Sequence, residues 1–301
     1  MEWLSSLRKT VDYLEQNLLI DCEVSVAANV GVSAVYLNRG FEIITGFTIS
    51  SYVKRRRLYL AGVDIIKGQS VIDTAFKYGY STPESFTKAF VRFHGITPVK
   101  LKKSPDSLKV FLPITFSIAI NGGENMDVRF EELEAMELIG FTRVMTFDKA
   151  YECIPLFWQE KSSQILSKCW KIKDPDQRLL SELEKTVVAN SIGMFGASFD
   201  CQGDHFKYGI LGPYKGRISN DLLDHELEVL TLPKGLYAKF VSTGPLPESI
   251  QAVNKEIFTK WLPGNPDYEL TKGPVLEYYP NEDCQSQNYK CEIWVPVIRK
   301  S

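Results

Sequence analysis

Glu277 and Tyr279 stand two residues apart in Val275-Leu-Glu-Tyr-Tyr279, and Trp294 lies in Cys291-Glu-Ile-Trp-Val295. Burying an unpaired carboxylate among aromatic rings costs several kcal/mol. A cationic guest relieves that cost and gains about 0.5–2 kcal/mol from each ring it faces. These residues therefore suit recognition of a lipophilic cation. The plainer reading keeps Glu277 as a surface or ion-paired strand residue. It also leaves Trp158, Trp170, Trp261 and Trp294 as core packing. His94, His205 and His225 are far apart, with no HExxH or His-x-His pair. Cys22, Cys153, Cys169, Cys201, Cys284 and Cys291 form no CxxC and are expected as reduced thiols. No metal, cofactor or catalytic residue is expected.

The first third of the chain offers another chemistry. Leu4, Leu7, Val11, Leu14 and Leu18 follow helical spacing. Ser33 is placed to cap a helix ending before Gly46, and a long helix runs from about Ile49 to Ile66 with Lys54-Arg-Arg-Arg57 in it. The grammar then repeats. Ser70 caps a helix, Gly79-Tyr80 turns, and Ser81 or Thr82 caps a helix with Pro83 in its first turn. Phe86, Ala89, Phe90 and Phe93 form its buried stripe. Glu84, Ser85, Thr87, Lys88 and Arg92 take its solvent side, and Val35, Asn38 and Arg39 take the equivalent face of the earlier helix. Two helix–turn–helix units on one long helix can present ridges to major grooves about 12 Å wide. A plain helical bundle would show the same periodicity.

Charge divides along the chain. Residues 33–103 hold 12 Lys/Arg and 4 Asp/Glu, a balance of +8, while residues 104–301 hold 21 and 28, a balance of −7. That asymmetry points to a polyanion partner for the first part alone. The sequence is 44% hydrophobic, enough for two cores. It has no apolar run of membrane-spanning length and no signal-like N-terminus, so a cytoplasmic location without membrane contact is expected.

Residues 105–125 read as a linker and edge strand, with Leu108–Ile120 apolar and Asn121–Asn125 a loop. Residues 126–301 read as two copies of strand, helix, strand, strand. The first copy takes its strand from Met136, its helix from Ile154–Leu166, and its strand pair from Ile192–Phe199 and His205–Leu211. The second takes Gly235–Val241, Pro247–Trp261, Pro274–Tyr279 and Lys290–Val297. An antiparallel sheet with helices on one face is expected, the other face forming a ligand groove. Period-2 alternation puts Ile293, Val295 and Val297 under the helices, and Glu277, Tyr279 and Trp294 in that groove.

Two resemblances sharpen these readings. Ala75, Gly79-Tyr80, Phe86, Phe90, Gly95 and Thr97-Pro98 resemble the signature of the AraC/XylS family. Ser33, Leu37, Arg39, Phe41, Gly46, Tyr52, Arg57 and Ala61 fit the same pattern upstream. The resemblance implies an all-α double helix-turn-helix domain over residues 1–104. Its base-reading helices fall on Ser33–Phe41 and Pro83–Phe90, with Thr82 among the reading residues. Double-stranded DNA is the partner it implies, and RNA polymerase is a second one that it allows. Ile154–Gln159, Leu227–Ala238, Ile257–Pro263, Tyr268-Glu-Leu, Glu277-Tyr-Tyr and Glu292–Val297 resemble the GyrI-like effector-binding domain. That resemblance implies an α+β fold of two βαββ-type repeats binding lipophilic, often cationic compounds. Glu277 falls on its pocket glutamate and Trp294 on a pocket aromatic. Phe157, Trp158, Phe199 and Tyr237 join the pocket by element position. Together the resemblances imply a DNA-binding transcription regulator, an activator by type, that senses a small molecule. Some GyrI-like domains hydrolyse reactive electrophiles. A hydrolytic or protein-docking C-terminal half is the alternative.

Overall fold

The computed structural model describes residues 2–20, 26–31, 33–116, 126–172, 180–216, 218, 227–280 and 283–300. Helices α1 (Glu2–Gln16), α2 (Val26–Val30), α3 (Ala34–Thr45), α4 (Ile49–Ile66), α5 (Val71–Lys77), α6 (Pro83–His94) and α7 (Pro98–Lys103) fill the N-terminal third. Local chemistry sets their ends. The Thr48, Ser70, Thr82 and Thr97 hydroxyls accept from backbone N–H groups three residues on, which satisfies donors that a helix start leaves unpaired. Ser33 precedes α3 but makes no side-chain capping bond.

The helices divide between two cores. Leu58, Ala61, Ile65, Ala75, Phe86, Phe90, Phe93 and Leu101 form a core private to α4–α7. Apolar side chains of α1–α3 and early α4 join the core of the C-terminal region instead. The basic run of α4 is partly structural. Arg56 makes a two-pronged pair with Glu15, both contacts at 2.8 Å. Arg57 donates to the carbonyls of Leu18 and Ile20 at the end of α1.

Residues 108–116 form no strand, which corrects the edge strand expected there. Phe111 packs edge-on against Phe47, and its carbonyl accepts from Arg56. The backbone N–H of Lys109 donates to His94 Nδ1 at 3.2 Å. These groups meet side chains where a ladder would need a second backbone. The rest of that expected strand and the Asn121–Asn125 loop lie outside the described residues.

The C-terminal region is one antiparallel sheet of β1 (Val128–Leu133), β2 (Met136–Thr146), β3 (Phe195–Gln202), β4 (His205–Pro213), β5 (Glu228–Leu232), β6 (Gly235–Thr243), β7 (Tyr268–Leu270), β8 (Val275–Tyr278) and β9 (Lys290–Arg299). Its order is β1-β6-β9-β8-β3-β4-β2-β5, with β7 pairing β9. Each repeat contributes a three-strand block, β2-β4-β3 or β6-β9-β8, and β3 joins β8 at the centre. Leading strands are exchanged. β1 precedes the first block but pairs with β6 of the second, while β5 precedes the second and pairs with β2 of the first. Helix α8 (Ala150–Lys161) continues through a π-helical turn, Ser162–Leu166, into α9 (Ser167–Cys169). Helix α10 (Glu182–Ala189) precedes β3. Helix α11 (Glu248–Glu256) likewise runs into a π-helical turn, Ile257–Trp261. Both repeats thus carry a π-helical turn at the end of their helix. Helix side chains such as Phe157, Ile257 and Phe258 share a core with Phe240, Ile293 and Val295 of the sheet. The opposite face buries its own cluster, including Leu138, Phe195, Phe199, Leu276 and Trp294.

Candidate functional site

A cavity of about 550 Å³ opens between α8, α10, α11 and the centre of the sheet. The cavity is thus on the helical face, whereas the groove was expected on the bare face. Trp158, Ile154, Val187, Ile250 and Tyr279 supply much of its apolar wall, and Glu277 its acidic floor.

Glu277 is 6% exposed. The Tyr208 and Tyr279 hydroxyls donate to its Oε2 at 2.6 and 3.0 Å. Trp158 Nε1 donates to the Tyr208 hydroxyl at 2.9 Å, and its ring meets Tyr279 edge-on with centroids 5.1 Å apart. Burial first, then the neighbouring carboxylate, holds both phenols well above their usual range, so they remain donors. Gly196 faces Glu277 across the β3–β8 pair. A Cβ there would come within 2.7 Å of Glu277 Oε2, so a glycine is what admits the carboxylate–phenol pair.

The other carboxylate oxygen looks toward the N-terminal third of the chain. Arg39 of α3 reaches into the cavity, its guanidinium 3.8 Å from Glu277 Oε1 and 5.9 Å from the Tyr151 ring centre. Burial works against the Arg39 charge, but Tyr151, Glu277 and Tyr208 outweigh it and raise its pKa, so it stays a cation. Asn254 donates to the Tyr151 hydroxyl at 2.9 Å and fixes that ring.

Arg39 does not dock alone. Asn38 Nδ2 lies 3.7 Å from Cys201 Sγ in β3. Glu42 faces Asp148; burial and then that like charge push its carboxyl up to about 7. Phe258 packs against Trp3 and Tyr36, with ring centroids 5.7 and 6.1 Å away. A Cβ on Gly40 would fall 2.6 Å from Phe258, so that glycine permits the close approach of α3. Among the described residues, buried Trp3 Nε1 and Tyr36 Oη have no hydrogen-bond partner. Each such omission costs about 1–3 kcal/mol.

The residues singled out from the sequence are therefore scattered. Glu277, Tyr279 and Trp158 meet at the cavity. Trp294 does not. Its partner across the ladder is Leu276, whereas Glu277 opposes Ile293, and directly opposed residues share a face. Trp294 instead stacks on Tyr278, beneath Lys239 Nζ at 3.7 Å. Phe199 and Tyr237 sit in the same far-side cluster. Phe157 is buried under the Arg143 guanidinium rather than in the cavity wall. Sequence reading left out Tyr208. Its signal was strand alternation in β4 combined with the pairing of Ser198 with Tyr208 and Gly196 with Glu277.

The two expected reading ridges also differ. Thr82, Glu84, Ser85, Lys88 and Arg92 are exposed and Thr87 is half-buried. Ser33, Val35, Asn38 and Arg39 are buried at 8%, 4%, 4% and 9% exposure, because α3 lies against the C-terminal region. The ridge expected to be free for DNA is covered. Among the described residues, no group of three or more His, Cys, Asp or Glu side chains could hold a metal. No helix there is long and apolar enough to cross a membrane.

The chain matches the GyrI-like small molecule binding domain over residues 126–298 and a helix-turn-helix domain over residues 26–104. It is 33% identical over 298 residues to the right origin-binding protein of Escherichia coli K12, covering 95% of this chain and 94% of that protein. It is 34% identical over 88 residues to the regulatory protein SoxS of Escherichia coli K12, covering 29% of this chain and 79% of SoxS. Among solved structures, SAV2435 bound to tetraphenylphosphonium is 21% identical with a TM-score of 0.44, covering 57% of this chain and 94% of that one. The chain belongs to the AraC-type transcription regulators that carry a GyrI-like small-molecule-binding domain.

Proposed function

We propose that the ligand of this regulator is a lipophilic monocation seated against Glu277, and that the exposed ridge of α6 reads DNA through Thr82, Glu84, Ser85, Thr87, Lys88 and Arg92. The observation that carries the ligand class is the Glu277 carboxylate, buried at the floor of an apolar cavity with both phenols on one oxygen. Its other oxygen has the Arg39 cation 3.8 Å away and, among the described residues, no closer donor. A guest with delocalised charge brings little hydration to lose and faces Trp158 and Tyr279. The Cys291 thiol close by is pushed up to about 12, first by burial, and offers no thiolate for covalent chemistry. For α6, the pattern is a locked apolar stripe of Phe86, Phe90 and Phe93 behind short polar and basic groups.

Calorimetry of the full chain with tetraphenylphosphonium, set against tetraphenylmethane-like neutral analogues, tests the ligand class. Saturable binding of the cation, much tighter than that of the neutral analogues, is the expected result; equal heats from both would refute it. Anisotropy titration of promoter duplex against random duplex tests DNA reading. The promoter should win, and the preference should persist as salt lowers both affinities.

A further inference from the structure

Val35, Asn38, Arg39 and Glu42 follow the spacing i, i+3, i+4, i+7 and so form one ridge of α3. Three of them meet the small-molecule domain through Cys201, Glu277 with Tyr151, and Asp148. A ridge covered in this way cannot enter a major groove. At its centre is Arg39, a flat, delocalised cation lying beside a buried carboxylate and over a phenol ring. That is the chemistry expected of the guest.

We propose that Arg39 is a tethered occupant of the cation site: a soluble cation and Arg39 compete for Glu277, and α3 is free to meet DNA only when Arg39 leaves. The inference rests on the cation-pocket reading above and adds its regulation. The seat is built to be vacated. Arg39 stops at 3.8 Å from the carboxylate, longer than the 2.7–2.9 Å usual for a charge-assisted contact. Trp3 Nε1 and Tyr36 Oη are left without partners among the described residues when α3 docks. Glu42 is brought against Asp148, a like charge. A free cation, not held back by a helix, can approach Glu277 more closely. Its apparent affinity is lowered by the fraction of molecules in which Arg39 holds the site. Conversely, the cation raises the fraction with α3 released.

Two variants of the full chain test this. Arg39→Ala should bind tetraphenylphosphonium at least about tenfold more tightly than the parent protein by calorimetry, because the competitor is gone. A merely structural arginine would not give a gain. Equal or weaker binding by Arg39→Ala overturns the competition while leaving the cation pocket standing. If neither protein binds this cation, the pocket reading itself falls, and the competition with it. The second variant, Asn38→Cys, places a thiol opposite native Cys201. Diamide should join the two, taking up two electrons and two protons as the disulfide forms. The cross-link, mapped by mass spectrometry, should weaken promoter-duplex binding by at least about tenfold relative to the reduced variant, and thiol reductant should restore it. Failure to form the cross-link, or full DNA affinity in the cross-linked protein, overturns the proposal. These DNA readouts need no ligand, so they separate blockade by α3 from the identity of the guest.

Discussion

The two helix-turn-helix units of this chain share a grammar but not a state. The second unit keeps its stripe of Phe86, Phe90 and Phe93 in a core of its own and turns Glu84, Ser85, Lys88 and Arg92 outward. The first unit has its apolar side chains in the core of another domain and Arg39 of its polar ridge in that domain's cavity wall. Periodicity decides which side of a helix is apolar. It does not decide whether a neighbour covers the polar side. The second unit is buried by its own helices; the first borrows its burial from the C-terminal domain, which is what the proposed competition acts on.

Phe258→Ala offers the hardest blow to this contrast. Phe258 is 1% exposed and touches both Trp3 and Tyr36. Its truncation should cost about 3–5 kcal/mol of the docked arrangement. Hydrogen exchange should then show α3 amides losing protection while α6 amides keep theirs. Equal loss in both helices would show that the units are not energetically separate.

Next in size, the pair Lys88→Ala and Arg92→Ala should together weaken promoter binding by about 2–4 kcal/mol and flatten its salt dependence. Neither change should alter cation binding, since both residues lie on the exposed unit. A shifted cation affinity would couple α6 to the cavity and blur the division. Glu277→Gln should weaken tetraphenylphosphonium by about 1.5–3 kcal/mol, the range for contacts to charged groups, while sparing neutral analogues. Equal losses would point to shape rather than charge.

The smallest effect concerns pH. Glu42 carries a carboxyl raised to about 7 when α3 is docked, from burial first and Asp148 second, with Arg39 pulling it down. A raised acid favours the docked state while protonated. The cost of docking therefore appears as pH climbs above the ordinary carboxylate range and levels off above about 7. Glu42 is only half-buried, so solvent screening trims the change between pH 6 and 8 to under about 1 kcal/mol. Exchange in α3 should quicken over that window and lose its pH dependence in Glu42→Gln.

Much of this was legible in the chain itself. Caps, stripes and turn glycines specify both helix-turn-helix units, and strand grammar gives the two repeats. Glu277 and Tyr279 were singled out from residue type and resemblance and Trp158 from element position, and all three line the cavity. Trp294 was misplaced because alternation assigns two faces to each strand but not which faces coincide between strands. That depends on the Leu276–Trp294 register, which is set by long-range pairing. The groove was put on the bare face for the same reason. The meeting of Arg39 with Glu277 has no local signal, since the two are 238 positions apart and each fits its own domain without the other.

The exchanged leading strands limit how such a protein can respond. With β1 laced to β6 and β5 laced to β2, the halves of the sheet are tied at both margins and cannot swing open like a book. A guest then reaches Glu277 through the cavity between the helices and the sheet. On the competition proposed above, the piece that yields is the helix that carries Arg39, and recognition of a chemical and exposure of a nucleic-acid-facing surface become two views of one displacement.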